Sequence, residues 1–533
     1  MASNKINYNT HWAFRTAKEV IEEFPDKEVY TIASGITPSG TVHIGNFREI
    51  ITVELVGRAL EKLGKKVRFI YSWDDFDVFR KVPKNFPKQD VLKDSLGLCI
   101  SEVEDVYGCH DSYAKHNEMP VEESIKSVNI EPEFIYQNEM YKSSKYSEGI
   151  LKALRNNDKI KKILNKYRSE DLSDDWMPTS VYCSKCGKDT IVSQMFVEPN
   201  LEYECKCGHK EEVDINTASN VKLKWRVDWP MRWEYEDVVF EPGGKDHSTQ
   251  GGSRDTGKII SEEIYDKKAP VYMMYDFVKI KGGAGKISSS TGDVITLNDV
   301  LKVYEPEIVR WIFASKRANT EFSISFDFDV FKIYEDFERC ERIYYGNEEE
   351  DNEKEVNKQK AIYELSLLDN IQEKQPIQVP FRHLVTLIQV NQGDIDETLN
   401  HFKDKIKTEF DENRIKRRLK AAKNWIELYA PEKVKFEVND KLSEELKEKV
   451  NDKLSENLKN VYSKVLSELE KEDDPEKLHQ FFYETCKEND VKLRNFFKTS
   501  YLIILGKKRG PRLAGFMIDL GYKRVKDIFD QVL

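Results

Sequence analysis

Two short stretches carry the residue types needed to hold a triphosphate. The first is Thr37-Pro-Ser-Gly-Thr-Val-His-Ile-Gly-Asn46, set between a β-rich run and a helical pattern. A helix N-terminus presents unpaired N–H groups and a partial positive charge, so it is a ready phosphate site. His43 and Asn46 stand at the mouth of that helix and can add side-chain donors. Pro38 belongs to the tight turn before it, and Gly45 lets the backbone and a nucleobase approach closely. The second stretch is Lys286-Ile-Ser-Ser-Ser290, flanked by Gly282, Gly283, Gly285 and Gly292. Lys286 is a natural counter-ion for charge developing between an α-phosphate and leaving pyrophosphate. Ser288 and Ser290 can bond phosphate oxygens. Transfers of this kind depend on charge stabilisation more than on covalent help from the protein. A third turn, Gly243-Gly-Lys-Asp-His247, follows a strand-like run and precedes a helical one. Asp246 can accept from ribose hydroxyls there, and His247 can face the substrate being activated.

Metal is the second chemistry the spacing suggests. The N-terminus shows no apolar leader, so the expected setting is the cytosol, where disulfides are rare. Four of the eight cysteines fall within 25 residues, as Cys183-x-x-Cys186 and Cys205-x-Cys207. Paired thiolates on tight turns can close a tetrahedral structural zinc site, as in a zinc ribbon. The second pair has one intervening residue, which leaves His209 as an alternative ligand. Asp105, Cys109, His110 and His116 offer the ligand types zinc accepts within twelve residues. Surface histidines beside a buried cysteine would give the same spacing.

These side chains need a scaffold. Residues 28–75 read as a βαβ unit, with strands at 29–33 and 67–71. Between them Ile44, Phe47, Ile51, Leu55 and Ala59 recur at helical spacing. Ligands bind beyond the carboxyl ends of strands in such units. Both the 37–46 turn and the acidic run Trp73-Asp-Asp-Phe-Asp77 fall there. The rhythm stops over 100–215 and returns with strand-like runs at 237–241 and 271–280. One parallel-sheet domain is therefore expected to be split by an inserted module. After about residue 335 the pattern is helical and heavily charged.

A chain of 533 residues calls for several domains. No stretch of about 18 apolar residues is present, so no membrane span is expected. Net charge is −11, but basic faces exist at Arg414, Lys416, Arg417, Arg418, Lys420 and Lys423, and at Lys507, Lys508, Arg509 and Arg512. Local basic faces of this kind are the footprint of nucleic-acid binding.

The His43–Asn46 and Lys286–Ser290 motifs resemble the two signatures of class I aminoacyl-tRNA synthetases. Further segments at 33–49, 107–116, 337–346 and 506–513 make the chain similar to the archaeal-type class I lysyl-tRNA synthetases. That resemblance implies an α/β fold: a Rossmann-type parallel-sheet catalytic domain, an inserted zinc-binding module and an all-helical C-terminal domain. The expected domains are 1–100 and 216–335 for the two catalytic halves, the second with a mobile lysine loop. The insertion is expected at 101–215, and the helical tRNA/anticodon-binding domain at 336–533. It implies ATP with Mg²⁺, two structural Zn²⁺ sites including the Asp105, Cys109, His110, His116 set, and L-lysine and tRNA(Lys) as substrates. The expected location is the cytoplasm, and the expected state is a monomer. His43, Asn46, Lys286 and Ser288 would carry the chemistry. Two departures are visible: Asn46 replaces the usual second histidine, and Ser289 the usual second lysine. Lys286 would then be the principal cation of its loop.

A buried ammonium needs a carboxylate, aromatic faces or both. Asp74, Asp75, Trp225 and Tyr275 flank expected strand ends and are the candidates for a lysine pocket. Gly35, Thr37 and His247 would hold the α-groups of the amino acid. The rival readings are a class I synthetase for glutamate or cysteine, and a catalytically silent tRNA-binding paralogue.

Overall fold

The computed structural model describes residues 6–281 and 294–533. The chain forms two compact units. One takes Met1–Leu301, Pro306–Ser325 and Arg339–Glu373, and the other Lys302–Glu305, Phe326–Glu338 and Lys374–Leu533.

The first unit begins with α1 (Trp12–Glu23), β1 (Val29–Ile36), α2 (Ile44–Lys62), β2 (Lys66–Trp73), α3 (Tyr113–Lys126) and β3 (Glu133–Tyr136). The helical spacing seen in the sequence places Ile44, Phe47, Ile51, Leu55 and Ala59 on the buried face of α2. Burying each larger aliphatic side chain contributes about 1.5–3 kcal/mol. At the end of α2, Gly64 N–H donates to Glu61 O at 2.8 Å and Lys65 N–H to Leu60 O at 3.0 Å. That pattern satisfies carbonyls the helix would otherwise leave open.

Next come five short strands: β4 (Thr179–Val181), β5 (Ile191–Val197), β6 (Asn200–Cys205), β7 (Lys210–Asp214) and β8 (Val221–Leu223). β5, β6 and β7 make an antiparallel sheet, and β4 pairs antiparallel with β8. The chain returns to the main sheet through α4 (Trp225–Tyr235) and β9 (Val238–Phe240), and then adds β10 (Gly243–Gly244), α5 (Ser253–Ile264), β11 (Met274–Tyr275), β12 (Val278–Lys281) and later β13 (Phe322–Ser325) outside it.

The main sheet runs in the order β3-β2-β1-β9, with all neighbours parallel. The chain moves outward from β1 through β2 to β3, then resumes on the opposite side of β1. The crevice beyond β1 is thus a topological switch point, where ligands bind in such sheets. The run expected as one strand at 271–280 is broken. Asp276 Oδ1 accepts from the Phe277 N–H at 2.8 Å, and the Asp276 N–H donates to Ala318 O at 3.0 Å. β11 therefore pairs with β10 and β12 with β13.

Residues 339–373 pack with the first unit, although the sequence pattern groups them with the helical C-terminal part. Tyr363 OH donates to Glu341 at 2.8 Å, and the Leu365 carbonyl accepts from the Arg310 guanidinium at 3.2 Å. The second unit is helical, including α6 (Glu409–Leu428), α7 (Glu444–Asn451), α8 (Glu456–Leu469), α9 (Pro475–Glu488) and α10 (Leu493–Leu505). Its core gathers Leu478, Phe482, Phe496, Ile503, Phe516 and Phe529. No helix among the described residues is long and apolar enough to cross a membrane.

Candidate active site

The end of β1 comes unusually close to β2. A Cβ on Gly35 would lie 2.6 Å from Ser72 O, a backbone atom that cannot move aside. Glycine lets the Gly35 N–H reach Glu49 Oε1 on α2 at 3.2 Å, while Tyr275 OH on β11 donates to Glu49 Oε2 at 2.5 Å. Burial pushes the Glu49 carboxyl up to about 8, against the pull of the Tyr275 and Gly35 hydrogen bonds. Burial, then the charge of Glu49, holds the Tyr275 hydroxyl protonated well above its ordinary range. An aromatic wall stands in the same unit. Trp225 stacks on Trp229 with ring centres 5.1 Å apart, and the His247 ring lies 6.3 and 6.0 Å from them.

The acidic run at the end of β2 is already partnered. Asp74 Oδ1 accepts from Arg232 at 2.6 Å, and Asp75 Oδ1 from the Asn138 N–H at 2.7 Å. Asp77 Oδ2 accepts from Thr37 Oγ1 at 2.8 Å, and its Oδ1 from Lys222 Nζ at 2.5 Å. Asp74 and Asp75 are thus satisfied inside the fold. Glu49 is the carboxylate grouped with Gly35 and Tyr275. Glu49 is not among the sequence candidates, although it lies three residues after Asn46, one turn further along α2.

At the start of α2, the His43 N–H donates to Asn46 Oδ1 at 3.1 Å. The amide oxygen at position 46 thus caps the helix, which histidine's ring geometry would serve differently. The Ile44 N–H is taken by Ile295 O at 2.8 Å. A Cβ on Gly45 would come within 2.8 Å of the His43 ring, so only glycine lets the imidazole fold over the helix mouth. Pro38 is buried beside this turn. Lys286, Ser288 and Ser290, and the side chain of Asp246, lie outside the described residues.

A cavity of about 960 Å³ is lined by Thr37 and Asp77 together with Arg80, Arg168, Lys224 and Arg226. Trp176 and Trp225 add aromatic faces to its wall. Its chemistry suits an anionic, base-bearing strand, since bases stack on aromatic rings and phosphates seek cations.

Two donor sets each bring four ligand atoms within 4.8 Å of one another. Cys183 and Cys207 have their sulfurs 3.7 Å apart, as do Cys186 and Cys205. Tetrahedral Zn–S bonds of about 2.3 Å require sulfur separations of about 3.8 Å, so the quartet fits. His209 faces Ser184 at 3.0 Å and Glu211 at 3.5 Å, and stands apart from the four thiols. In the second set, Cys109 Sγ lies 3.1 Å from His110 Nδ1, 3.2 Å from His116 Nδ1 and 3.3 Å from Asp105 Oδ2. Asp105 also accepts from the backbone N–H groups of Tyr107, Cys109 and His110. These backbone bonds bring the mixed set together in a geometry zinc accepts.

In the second unit, α6 carries the first basic run, but Arg414 and Arg418 are buried. Arg418 Nε donates to Glu305 at 2.6 Å, and Nη1 pairs with Glu338. These arginines hold the fold, which reduces the face read from the sequence. Lys507, Lys508, Arg509 and Arg512 are all exposed after α10.

Comparison with known proteins follows this geometry. The family described as "tRNA synthetases class I (K)" matches residues 10–369, and "Anticodon binding domain" matches residues 397–527. The lysine–tRNA ligase of Treponema pallidum (strain Nichols) is 45% identical over 524 residues, covering 97% of each chain. That of Borreliella burgdorferi (strain ATCC 35210 / DSM 4680 / CIP 102532 / B31) is 45% identical over 519 residues, 97% of this chain and 98% of the relative. That of Pyrococcus horikoshii (strain ATCC 700860 / DSM 12428 / JCM 9974 / NBRC 100139 / OT-3) is 42% identical over 520 residues, 96% of this chain and 97% of the relative. The parallel sheet with its switch point, the helix mouth bearing His43 and Asn46, and these matches lead to one conclusion: the chain belongs to the class I tRNA synthetase (K) family.

Proposed function

We propose that this chain is a lysine–tRNA ligase, which activates L-lysine with ATP and transfers the lysyl group to tRNA(Lys). The observation that carries the choice of amino acid is Glu49. It is a half-buried carboxylate fixed by Tyr275 and Gly35 at the switch point, in a family whose relatives are lysine–tRNA ligases. Once ionised, such a group pairs with a substrate ammonium and repels the carboxylate of glutamate.

The lysine carboxylate attacks the α-phosphorus of ATP. A carboxyl–phosphorus bond forms, the α–β bridging bond breaks, and pyrophosphate leaves. The carboxylate is already ionised at neutral pH, so the step needs positioning and charge stabilisation without a general base. His43 and Asn46 at the mouth of α2 hold triphosphate oxygens, with Pro38 and Gly45 shaping the approach. Asp246 meets the ribose, and Lys286, Ser288 and Ser290 meet the phosphates. Mg²⁺, when bound, supplies charge neutralisation on the phosphates. Gly35, Thr37 and His247 hold the α-groups, with Trp225 and Tyr275 walling the side chain. A ribose hydroxyl at the tRNA 3′ end, entering the cationic cavity, then attacks the carbonyl carbon, and AMP leaves.

On this reading residues 1–100 and 216–335 supply the chemistry, and 101–215 supplies two structural zinc sites. The helical region containing residues 397–527 meets the anticodon. Lysine-dependent ATP–pyrophosphate exchange, assayed with tRNA present, tests it. Lys286→Ala should lower exchange by orders of magnitude while the unfolding temperature stays unchanged. Near-normal exchange in that variant would contradict the role of the loop.

A further inference from the structure

We propose that Lys222 is a positioning residue for the amino-acid site: through Asp77 it fixes the Thr37 hydroxyl as an acceptor for the substrate's α-ammonium. The inference rests on the reading that Thr37 meets the α-groups of the amino acid.

Lys222 lies on β8, opposite Ser180 in the β4–β8 ladder, 145 residues beyond Asp77. It is 7% exposed. A buried ammonium is costly unless its donors are met. Here Nζ donates to Asp77 Oδ1 at 2.5 Å and lies 3.4 Å from Phe76 O. Tyr182, immediately after β4, donates its hydroxyl to the same Phe76 carbonyl at 2.8 Å. The β4–β8 ladder is therefore fastened to the segment that follows β2 at two points.

The consequence for Thr37 follows from the two oxygens of Asp77. One accepts from Lys222, and the other accepts from Thr37 Oγ1 at 2.8 Å. A hydroxyl has one proton and two lone pairs. While Asp77 is ionised, that proton points at Asp77 and the lone pairs of Thr37 face the cavity, where an ammonium can donate to them. Burial disfavours the charge on Asp77, and Lys222, together with Thr37 and Arg232, outweighs it, so the carboxyl stays below its ordinary range. Without Lys222 the carboxyl would take up a proton more readily. It could then donate to Thr37, turning the hydroxyl proton toward the substrate and reversing the polarity the ammonium needs.

Steady-state lysine activation with tRNA present gives the test. Lys222→Met should raise KM for lysine about tenfold, the cost of one lost oriented hydrogen bond, with KM for ATP and for tRNA within about twofold of wild type. Lys222→Arg should restore much of the lysine KM, which a merely structural defect would not predict. Lys222→Met/Asp77→Leu leaves no unpaired buried charge, so it keeps the question answerable if the single variant folds poorly. It should show the same raised lysine KM. Thr37→Val is measured alongside. If Thr37→Val raises the lysine KM and the folded Lys222 variants do not, or if they raise only the tRNA KM, the role of Lys222 is overturned. If Thr37→Val leaves the lysine KM unchanged, the placement of Thr37 at the amino acid is itself contradicted.

Discussion

On the proposed reading, Glu49 is the residue that selects lysine. Its carboxyl is pushed up to about 8 by burial, so below that pH it holds a proton that an incoming ammonium requires it to lose. The sign follows directly. The free site favours the protonated form at low pH, so kcat/KM for lysine should rise about tenfold per pH unit and level off near pH 8. Glu49→Gln should abolish that rise and lower kcat/KM at the plateau about a hundredfold, as expected when one partner of a buried charge pair is removed. A pH profile of lysine activation that is unchanged by the substitution would remove Glu49 from the pocket. The sequence offers Asp74, Asp75, Trp225 and Tyr275 as pocket candidates, and the structure joins Tyr275 to Glu49 while Asp74 and Asp75 have other partners. Both are acidic and both flank β2, and nothing in one dimension shows that Arg232 and the Asn138 N–H already occupy them.

At the scale of elements, α2 was legible because its apolar residues recur every three or four positions and its mouth carries polar donors. The two donor clusters are legible as clusters because their residues are close in sequence, and the structure brings each set within reach of one ion. Less was legible where long-range pairing decides. The 271–280 run reads as one strand, yet Asp276 bonds the next N–H and splits it between two partners. The basic run of α6 reads as one solvent face, yet Arg418 turns inward to Glu305 and Glu338. The two donor clusters make a quantitative prediction. Metal analysis should find two zinc ions per chain, one for each cluster. Cys205→Ser should remove one of them and lower the unfolding temperature. Zinc-finger-like sites hold about 10–16 kcal/mol of apparent binding energy. A variant that keeps both ions and full stability would show that the cysteine quartet is not a metal site.

For the whole molecule, a net charge of −11 coexists with local cationic surfaces, and those surfaces decide how an anionic partner is met. The loop at 507–512 lies within the region matched to an anticodon-binding family, and its four basic residues are exposed. Reversing Lys507, Lys508, Arg509 and Arg512 to Glu should weaken tRNA binding and flatten its dependence on salt, since fewer counter-ions are released. Binding measured across a salt series would show it, and an unaltered slope would place the RNA face elsewhere. The central claim is that this chain loads lysine. The most direct test incubates it with ATP, total tRNA and each amino acid separately, then identifies the amino acid esterified to the recovered tRNA. Lysine alone should be attached, and only to tRNA(Lys). Attachment of glutamate or cysteine, or of no amino acid at all, would contradict the account.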